Sequence, residues 1–153
     1  MTNNDVPNYN ESPFYVIEQI AKYLKEDYIS KYSDVVTHDE LRILDIVHRN
    51  PDICQRDLAK LALRDSVCIC RNLDSLEKKE LIYRFHDTKG KRLVKKMKLT
   101  QKGESLYADL LAKIVPDTKA ILNATFSKEE LESFTNMLRK LQEALSQSIT
   151  LQV

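Results

Sequence analysis

Between Ile53 and Gly103 the hydrophobic periodicity changes from that of helices to that of strands, and this change limits the architectures open to the chain. Asp52 to Leu63 reads as a helix with Leu58, Ala59 and Leu61 as packing residues, followed by a turn at Arg64-Asp65-Ser66, where Asp65 or Ser66 is suited to cap a second helix. In that second helix Ile69, Leu73 and Leu76 recur at spacings of four and three and share one face, so Val67, Arg71, Asp74 and Lys78 point the opposite way. Ile82 to His86 and Leu93 to Leu99 are then short strand-like runs, joined by the turn-rich, cationic Asp87-Thr88-Lys89-Gly90-Lys91-Arg92. Helix, turn, helix and hairpin is the order of a winged helix-turn-helix.

Charge is concentrated on the hairpin. From Arg84 to Lys102 the basic residues are Arg84, Lys89, Lys91, Arg92, Lys95, Lys96, Lys98 and Lys102, and Asp87 is the sole acid. The whole chain nets only +1, so the excess is local. A run of lysines is most simply a solvated face, but one placed on a wing is the electrostatic footprint of phosphate binding. Arg84, Lys89, Lys91, Arg92, Lys96 and Lys98 are therefore candidate DNA contacts. Strand alternation separates Leu93, Lys95, Met97 and Leu99 from Val94, Lys96 and Lys98, so the wing lysines cannot all face one groove.

The flanking sequence is helical. Two glycines and four prolines in 153 residues, with 42% hydrophobic and 31% charged content, describe a mainly α, soluble chain. No apolar run approaches the roughly 18 residues that span a bilayer, and the polar start has no signal-peptide core, so a cytoplasmic protein without a membrane partner is expected. Residues 1–12 read as a flexible arm. Residues 13–36 hold a helix opened by Ser12-Pro13, with Phe14, Ile17, Ile20, Ala21 and Leu24 as its stripe through about Tyr28. Tyr15, Tyr23, Tyr28 and Tyr32 on that helix suit an interface better than a ligand pocket. Thr37 and Glu40 form a capping box for a helix that stops at Asn50-Pro51. Residues 37–100 thus make the winged lobe, and residues 101–153 carry C-terminal helices. Thr100 is suited to cap the first of these, Pro116 to kink or interrupt it, and Ser127 to Glu130 to start the last. Leu131, Phe134, Leu138, Leu141 and Leu145 form a seam that a small winged lobe cannot bury. With Phe14 and Ile17 they are the candidate dimerisation residues.

Three segments resemble the MarR family of bacterial transcriptional regulators: TxxxLxIL from Thr37 to Leu44, QRDLAKLALRDSVCICRNLDSLEKKELIYR from Gln55 to Arg84, and the closing LTQKG from Leu99 to Gly103. The similarity runs from about Pro13 to Leu145. It implies a homodimeric repressor whose second motif helices enter successive major grooves while the wings reach toward the minor groove. The family's base- and phosphate-reading positions fall on Ser66, Val67, Cys68, Cys70, Arg71 and Arg92, and Ser75 is a further candidate on the same helix. A two-fold dimer reads half-sites roughly 34 Å apart, hence an inverted-repeat operator. Arg71 suits a guanine edge. The resemblance also implies release from DNA by a small-molecule effector bound between the dimerisation helices and the winged lobe. Two positions depart from the family pattern: Glu80 stands where a Gly is usual, and Gly90 where an Asp usually precedes the wing Arg.

The remaining chemistry is sparse. Cys54, Cys68 and Cys70 are an odd set that makes no disulfide framework. Cys68-Ile69-Cys70 resembles the CxC of ArsR-family thiol sensors, but residues two apart diverge by about 200° on a helix and cannot easily share an ion. An alternative is a redox-responsive regulator working through Cys68 near its helix N-terminus. Another is a winged-helix protein-interaction module. His38, His48 and His86 lack metal-binding spacing, and no GxSxG, HExxH or phosphate-cradling glycine loop occurs. No metal, no cofactor and no enzymatic activity are expected.

Overall fold

Two capping boxes mark helix starts in the computed structural model of the chain, which describes residues 8–89 and 92–150. At α2 (His38–Arg49) the Glu40 N–H donates to Thr37 Oγ1 at 3.2 Å and the Thr37 N–H donates to Glu40 Oε2 at 2.7 Å. Ser127 and Glu130 repeat the arrangement at 3.2 and 2.8 Å to open α6 (Lys128–Thr150). Each box satisfies two N–H groups that a helix start otherwise leaves unpaired. Between and around them run α1 (Pro13–Tyr32), α3 (Gln55–Ala62), α4 (Ser66–Lys78), the antiparallel strands β1 (Ile82–Lys89) and β2 (Arg92–Leu99), and α5 (Gln101–Thr125). This is the expected mainly α winged helix-turn-helix with a hairpin wing.

Residues 1–108 form one compact unit and residues 109–153 a second, with α5 starting in the first and ending in the second. The core of the first unit is the apolar face of each motif helix together with the wing root. Ile43, Leu44 and Val47 from α2, Leu58 from α3, and Ile69, Leu73 and Leu76 from α4 are joined by Leu81, Ile82 and Met97, all 2% exposed or less. Burying each such side chain contributes about 1.5–3 kcal/mol before entropy is counted. Tyr28 closes the end of α1 onto this unit: its hydroxyl donates to the Val36 carbonyl at 3.0 Å and its ring meets His38 edge-on at 5.3 Å. At the start of α5, Tyr107 donates to Asp45 at 2.6 Å and His48 Nδ1 lies 2.7 Å from Glu104, which ties α5 to α2. In the second unit Phe126 stacks on Phe134 at 5.3 Å, while Met137, Leu138 and Leu145 of α6 stay exposed.

Several boundaries differ from the sequence expectation. The first motif helix starts at Gln55, not Asp52, because Asp52 turns the chain at φ 66° and Ile53-Cys54 lie alongside β2. Cys54 bridges Lys96, and the Met97 N–H donates to the Ile53 carbonyl at 3.2 Å, so an isolated β-bridge ties this segment to β2 beside the two-stranded sheet. The hairpin is also longer than the alternation suggested. Pairing continues to Lys89 opposite Arg92, so Asp87, Thr88 and Lys89 belong to β1 and Arg92 to β2 rather than to a loop. Gly90 and Lys91 lie outside the described residues, as do residues 1–7. Of the expected arm, residues 9–11 form a 3₁₀ turn capped by the Asn8 side chain, and the Tyr9 hydroxyl reaches Glu18 at 3.1 Å. α1 extends to Tyr32 instead of ending near Tyr28. Pro116 does not interrupt α5, which runs unbroken across it. Proline removes one backbone donor, and the helix-forming residues on either side keep the remaining ladder.

Both ends of the helix-turn-helix use left-handed residues. Leu63 (φ 52°) ends α3 with Arg64 N–H bonding the Ala59 carbonyl at 3.1 Å, and Glu80 (φ 60°) ends α4 with Leu81 N–H bonding the Leu76 carbonyl at 2.9 Å. These six-to-one closures turn the chain sharply after each helix. Glu80 explains why glycine is usual at its position, since a side chain there costs about 1–2 kcal/mol. Thr100 then starts α5 by accepting the Gly103 N–H at 3.0 Å, while its own N–H donates to the Leu81 carbonyl at 3.0 Å.

Two outcomes follow from this packing. A Cβ on Gly103 would lie 2.0 Å from the Leu81 carbonyl oxygen, so Gly103→Ala is expected to lower stability by on the order of 3 kcal/mol in denaturant titration. The second concerns Glu40, which is 2% exposed and held by Lys79 Nζ at 2.8 and 3.0 Å. Burial alone would push its carboxyl up, but the Lys79 ammonium, the Ser75 hydroxyl and the Thr37 N–H outweigh burial and hold it below the ordinary 4.5. Its contribution is therefore present above pH 4.5 and lost as pH falls through the depressed value. Thermal melts from pH 7 to 3 should show a shallower acid loss in Glu40→Gln than in the wild type. Lys79→Met, which strands the carboxylate, should cost about 3 kcal/mol at neutral pH.

Candidate nucleic-acid interface

α4 is built to be buried on one side and bare on the other. Asp65 caps it, accepting the Cys68 N–H at 2.8 Å, and Ile69, Leu73 and Leu76 fix it to the core at 0% exposure. Three polar ties set its orientation. Gln55 of α3 donates to Cys70 Sγ at 2.8 Å, Lys79 at the far end grips Glu40 of α2, and Arg84 of β1 reaches back to the helix. Arg64 in the turn adds a 2.8 Å ion pair with Asp39. On the opposite side Ser66, Val67, Arg71, Asp74 and Lys78 are exposed, Val67 at 59%.

The side chains nominated from sequence separate into groups. Ser66, Val67 and Arg71 share the exposed N-terminal part of α4, and Arg71 has no ion pair or hydrogen bond among the described residues. Cys68 and Cys70 are half-buried: Cys70 is turned to Gln55, and Cys68 Sγ lies 3.5 Å from the Asn72 amide. Ser75 is half-buried, on the flank of α4 nearest the Glu40 carboxylate, whose pKa it helps to lower. The proximity is tertiary, since α2 brings a buried carboxylate to the flank of α4.

The basic run is partly compensated from within. Arg84 Nε donates to Glu77 at 3.0 Å, Arg84 Nη2 donates to Asp74 at 2.7 Å and to Glu77, and its side chain is only 21% exposed. The guanidinium in turn holds the Glu77 carboxyl below its usual range, outweighing the partial burial that would raise it. Arg84 is thus a brace between β1 and α4. Lys96 pairs with Asp87 at 2.6 Å across the hairpin, Lys98 with Asp52 at 3.0 Å, and Lys102 with Glu80 at 3.1 Å. Asp52, Asp74, Glu77 and Glu80 all lie outside the cationic stretch, so sequence position concealed their nearness. Lys95 is exposed without a carboxylate partner among the described residues. Lys91 and the side chains of Lys89 and Arg92 lie outside the described residues.

Alternation along β2 holds. Met97 and Leu99 turn inward to the core, and Lys96 and Lys98 take the other face, where Lys98 Nζ sits 5.7 Å from the Phe85 ring centre. Sequence reading missed the bridge from Cys54 to β2, whose only signal is two apolar residues after Pro51-Asp52. Among the described residues no helix is long and apolar enough to cross a membrane, and no three His, Cys, Asp or Glu side chains converge as a metal site.

Comparison with known proteins places this arrangement. Residues 36–94, from the start of α2 into β2, match the family model described as MarR family. The structure is similar to that of MarR, with a TM-score of 0.80 at 23% identity over 98% of both chains. It is similar to Staphylococcus aureus MepR in complex with DNA, with a TM-score of 0.71 at 25% identity over 88% of this chain and 98% of that one. It also resembles the PcaV transcriptional regulator of Streptomyces coelicolor bound to its natural ligand, with a TM-score of 0.76 at 17% identity over 92% and 98% of the two chains. The match to the MarR family model thus falls on the helix-turn-helix and wing, and the fold is similar to that of MarR along nearly the whole chain.

Proposed function

We propose that this protein is a sequence-specific DNA-binding transcriptional regulator, a homodimeric repressor of an inverted-repeat operator that a small-molecule effector releases. The observation that carries this reading is the bare face of α4. A helix pinned by a fully buried face and three polar ties presents Val67 and Arg71, with no internal partner for the guanidinium. Val67 offers an apolar contact of the kind a thymine methyl accepts, and Arg71 the two donors that match a guanine edge. The exposed wing cation Lys95, with the sequence candidates Lys89, Lys91 and Arg92, supplies phosphate contacts that add affinity without sequence preference. The structures of MepR and FabT with DNA and of PcaV with its ligand support the same assignment of partners. The family consists of transcriptional regulators, and the reading includes no enzymatic step.

Residues 13–36 and 101–153 take the dimerising role in this proposal and residues 37–100 the DNA-reading one. Phe14, Val16, Ile17, Ile20 and Leu24 of α1 are 36–53% exposed, as are Leu138 and Leu145 of α6 at 39% and 44%. Contiguous apolar stripes of this kind are seldom left to water. Dimerisation through them gives the two-fold symmetry an inverted repeat requires. An effector releases the operator only to the extent that it binds the DNA-incompetent state more tightly than the competent one.

Two measurements test the reading. Fluorescence anisotropy on the protein's own upstream DNA should give tight binding whose logarithm falls with log salt by about 0.9 per phosphate contact. Arg71→Ala should weaken that binding by about 1–3 kcal/mol and bring it toward the affinity for scrambled DNA. Equal, weak binding of the wild type to both duplexes would count against a sequence reader. In sedimentation velocity the wild type should run as a dimer and Leu138→Glu/Leu145→Glu as a monomer. An unchanged dimer in the variant would move the interface elsewhere.

A further inference from the structure

Asp74 lies three residues beyond Arg71 on the exposed face of α4, with a half-exposed side chain (56%). Helical side chains three apart are neighbours, with Cβ atoms about 5–6 Å apart, so Asp74 is within reach as an internal partner for the Arg71 guanidinium. Such a pair would draw the base-reading group back along its own helix. It is not formed. Arg84, the residue opening the charged run on β1, takes Asp74 at 2.7 Å and Glu77 at 3.0 Å, while Arg71 makes no ion pair or hydrogen bond among the described residues and feels only the longer-range charge of Asp65. Arg84 is itself more enclosed than either carboxylate, at 21% exposed against 56% and 40%. It therefore faces the helix and not the solvent from which a phosphate would approach.

We propose that Arg84 is a positioning residue, which by occupying Asp74 and Glu77 keeps Arg71 available to DNA and the groove-facing side of α4 clear of uncompensated negative charge. The inference rests on the DNA-reading function proposed above. Removing Arg84 leaves two carboxylates within two turns of Arg71, on a surface that must approach a polyanion. One of them then competes with the base edge for Arg71, and both repel the backbone. A phosphate-binding Arg84 would behave differently, because neutralising its internal partners could not replace a lost contact to DNA.

The experiment uses the full chain and duplexes selected by the wild type from a random-core library. Anisotropy is measured for wild type, Arg84→Gln, Asp74→Asn/Glu77→Gln, and the triple combination, with circular-dichroism melts of each. Arg84→Gln is expected to bind about tenfold more weakly, as for loss of a good base contact, and the triple variant to recover to within about threefold of the wild type. The double variant should bind at least as tightly as the wild type. A triple variant as weak as Arg84→Gln overturns the proposal, and so does a double variant that folds but loses binding. Should Arg84→Gln fail to fold, the double variant still decides, because a purely structural clamp predicts loss there and the proposal predicts none. If the wild type enriches no sequence at all, it is the DNA-reading function that fails, and this inference with it.

Discussion

The carboxylate of Glu40 is the point on which the winged lobe depends. It closes the capping box of α2 and, from a buried position, receives Lys79 at the end of α4. A buried carboxylate left unpaired is costly, so the geometry of its partners is narrowly set. Displacing α4 from α2 breaks the ion pair and leaves the buried carboxylate that caps α2 without its cation. The apolar contacts of Ile69, Leu73 and Leu76 supply most of the stabilisation, but they are non-directional. The polar ties at Cys70, Lys79 and Arg84 define how α4 is rotated and so which residues it shows to solvent.

That rotation connects packing to function. With the core face fully buried, the helix presents a line of side chains from Val67 to Lys78, and among the described residues its cations Arg71 and Lys78 make no ion pair or hydrogen bond. The wing divides in a similar way. Its root is charge-compensated by Asp52, Asp74, Glu77 and Asp87, and Lys95 farther along is not. Surface ion pairs are worth little individually and exchange readily with a phosphate, so Lys96 and Lys98 remain available to DNA at low cost. Arg84 differs because it is enclosed and doubly bonded.

Local rules accounted for much of what is seen. The capping boxes at Thr37 and Ser127, the Asp65 cap, the Thr100 start of α5 and the buried face of α4 were all legible, because each depends on residues within a turn of one another. The misses have a common cause. Cys54 forms a β-bridge because β2 lies beside it more than forty residues on, and the hairpin lengthens because cross-strand pairing carries polar residues that alternation alone would end. The partners of Arg84, Asp74 and Glu77, lie on α4, seven to ten residues earlier in the chain, and local pattern gave no sign of them.

The amino-acid sequence by itself determined the order of elements, the face each motif helix buries and the concentration of positive charge on the wing. These follow from periodicity, capping and composition, which act over a few residues. Only the tertiary structure decided which cations are compensated, where the thiols of Cys68 and Cys70 point, and that Leu81 is the reason glycine is required at 103. Those outcomes depend on groups distant in the chain, whose proximity exists only once the core has formed.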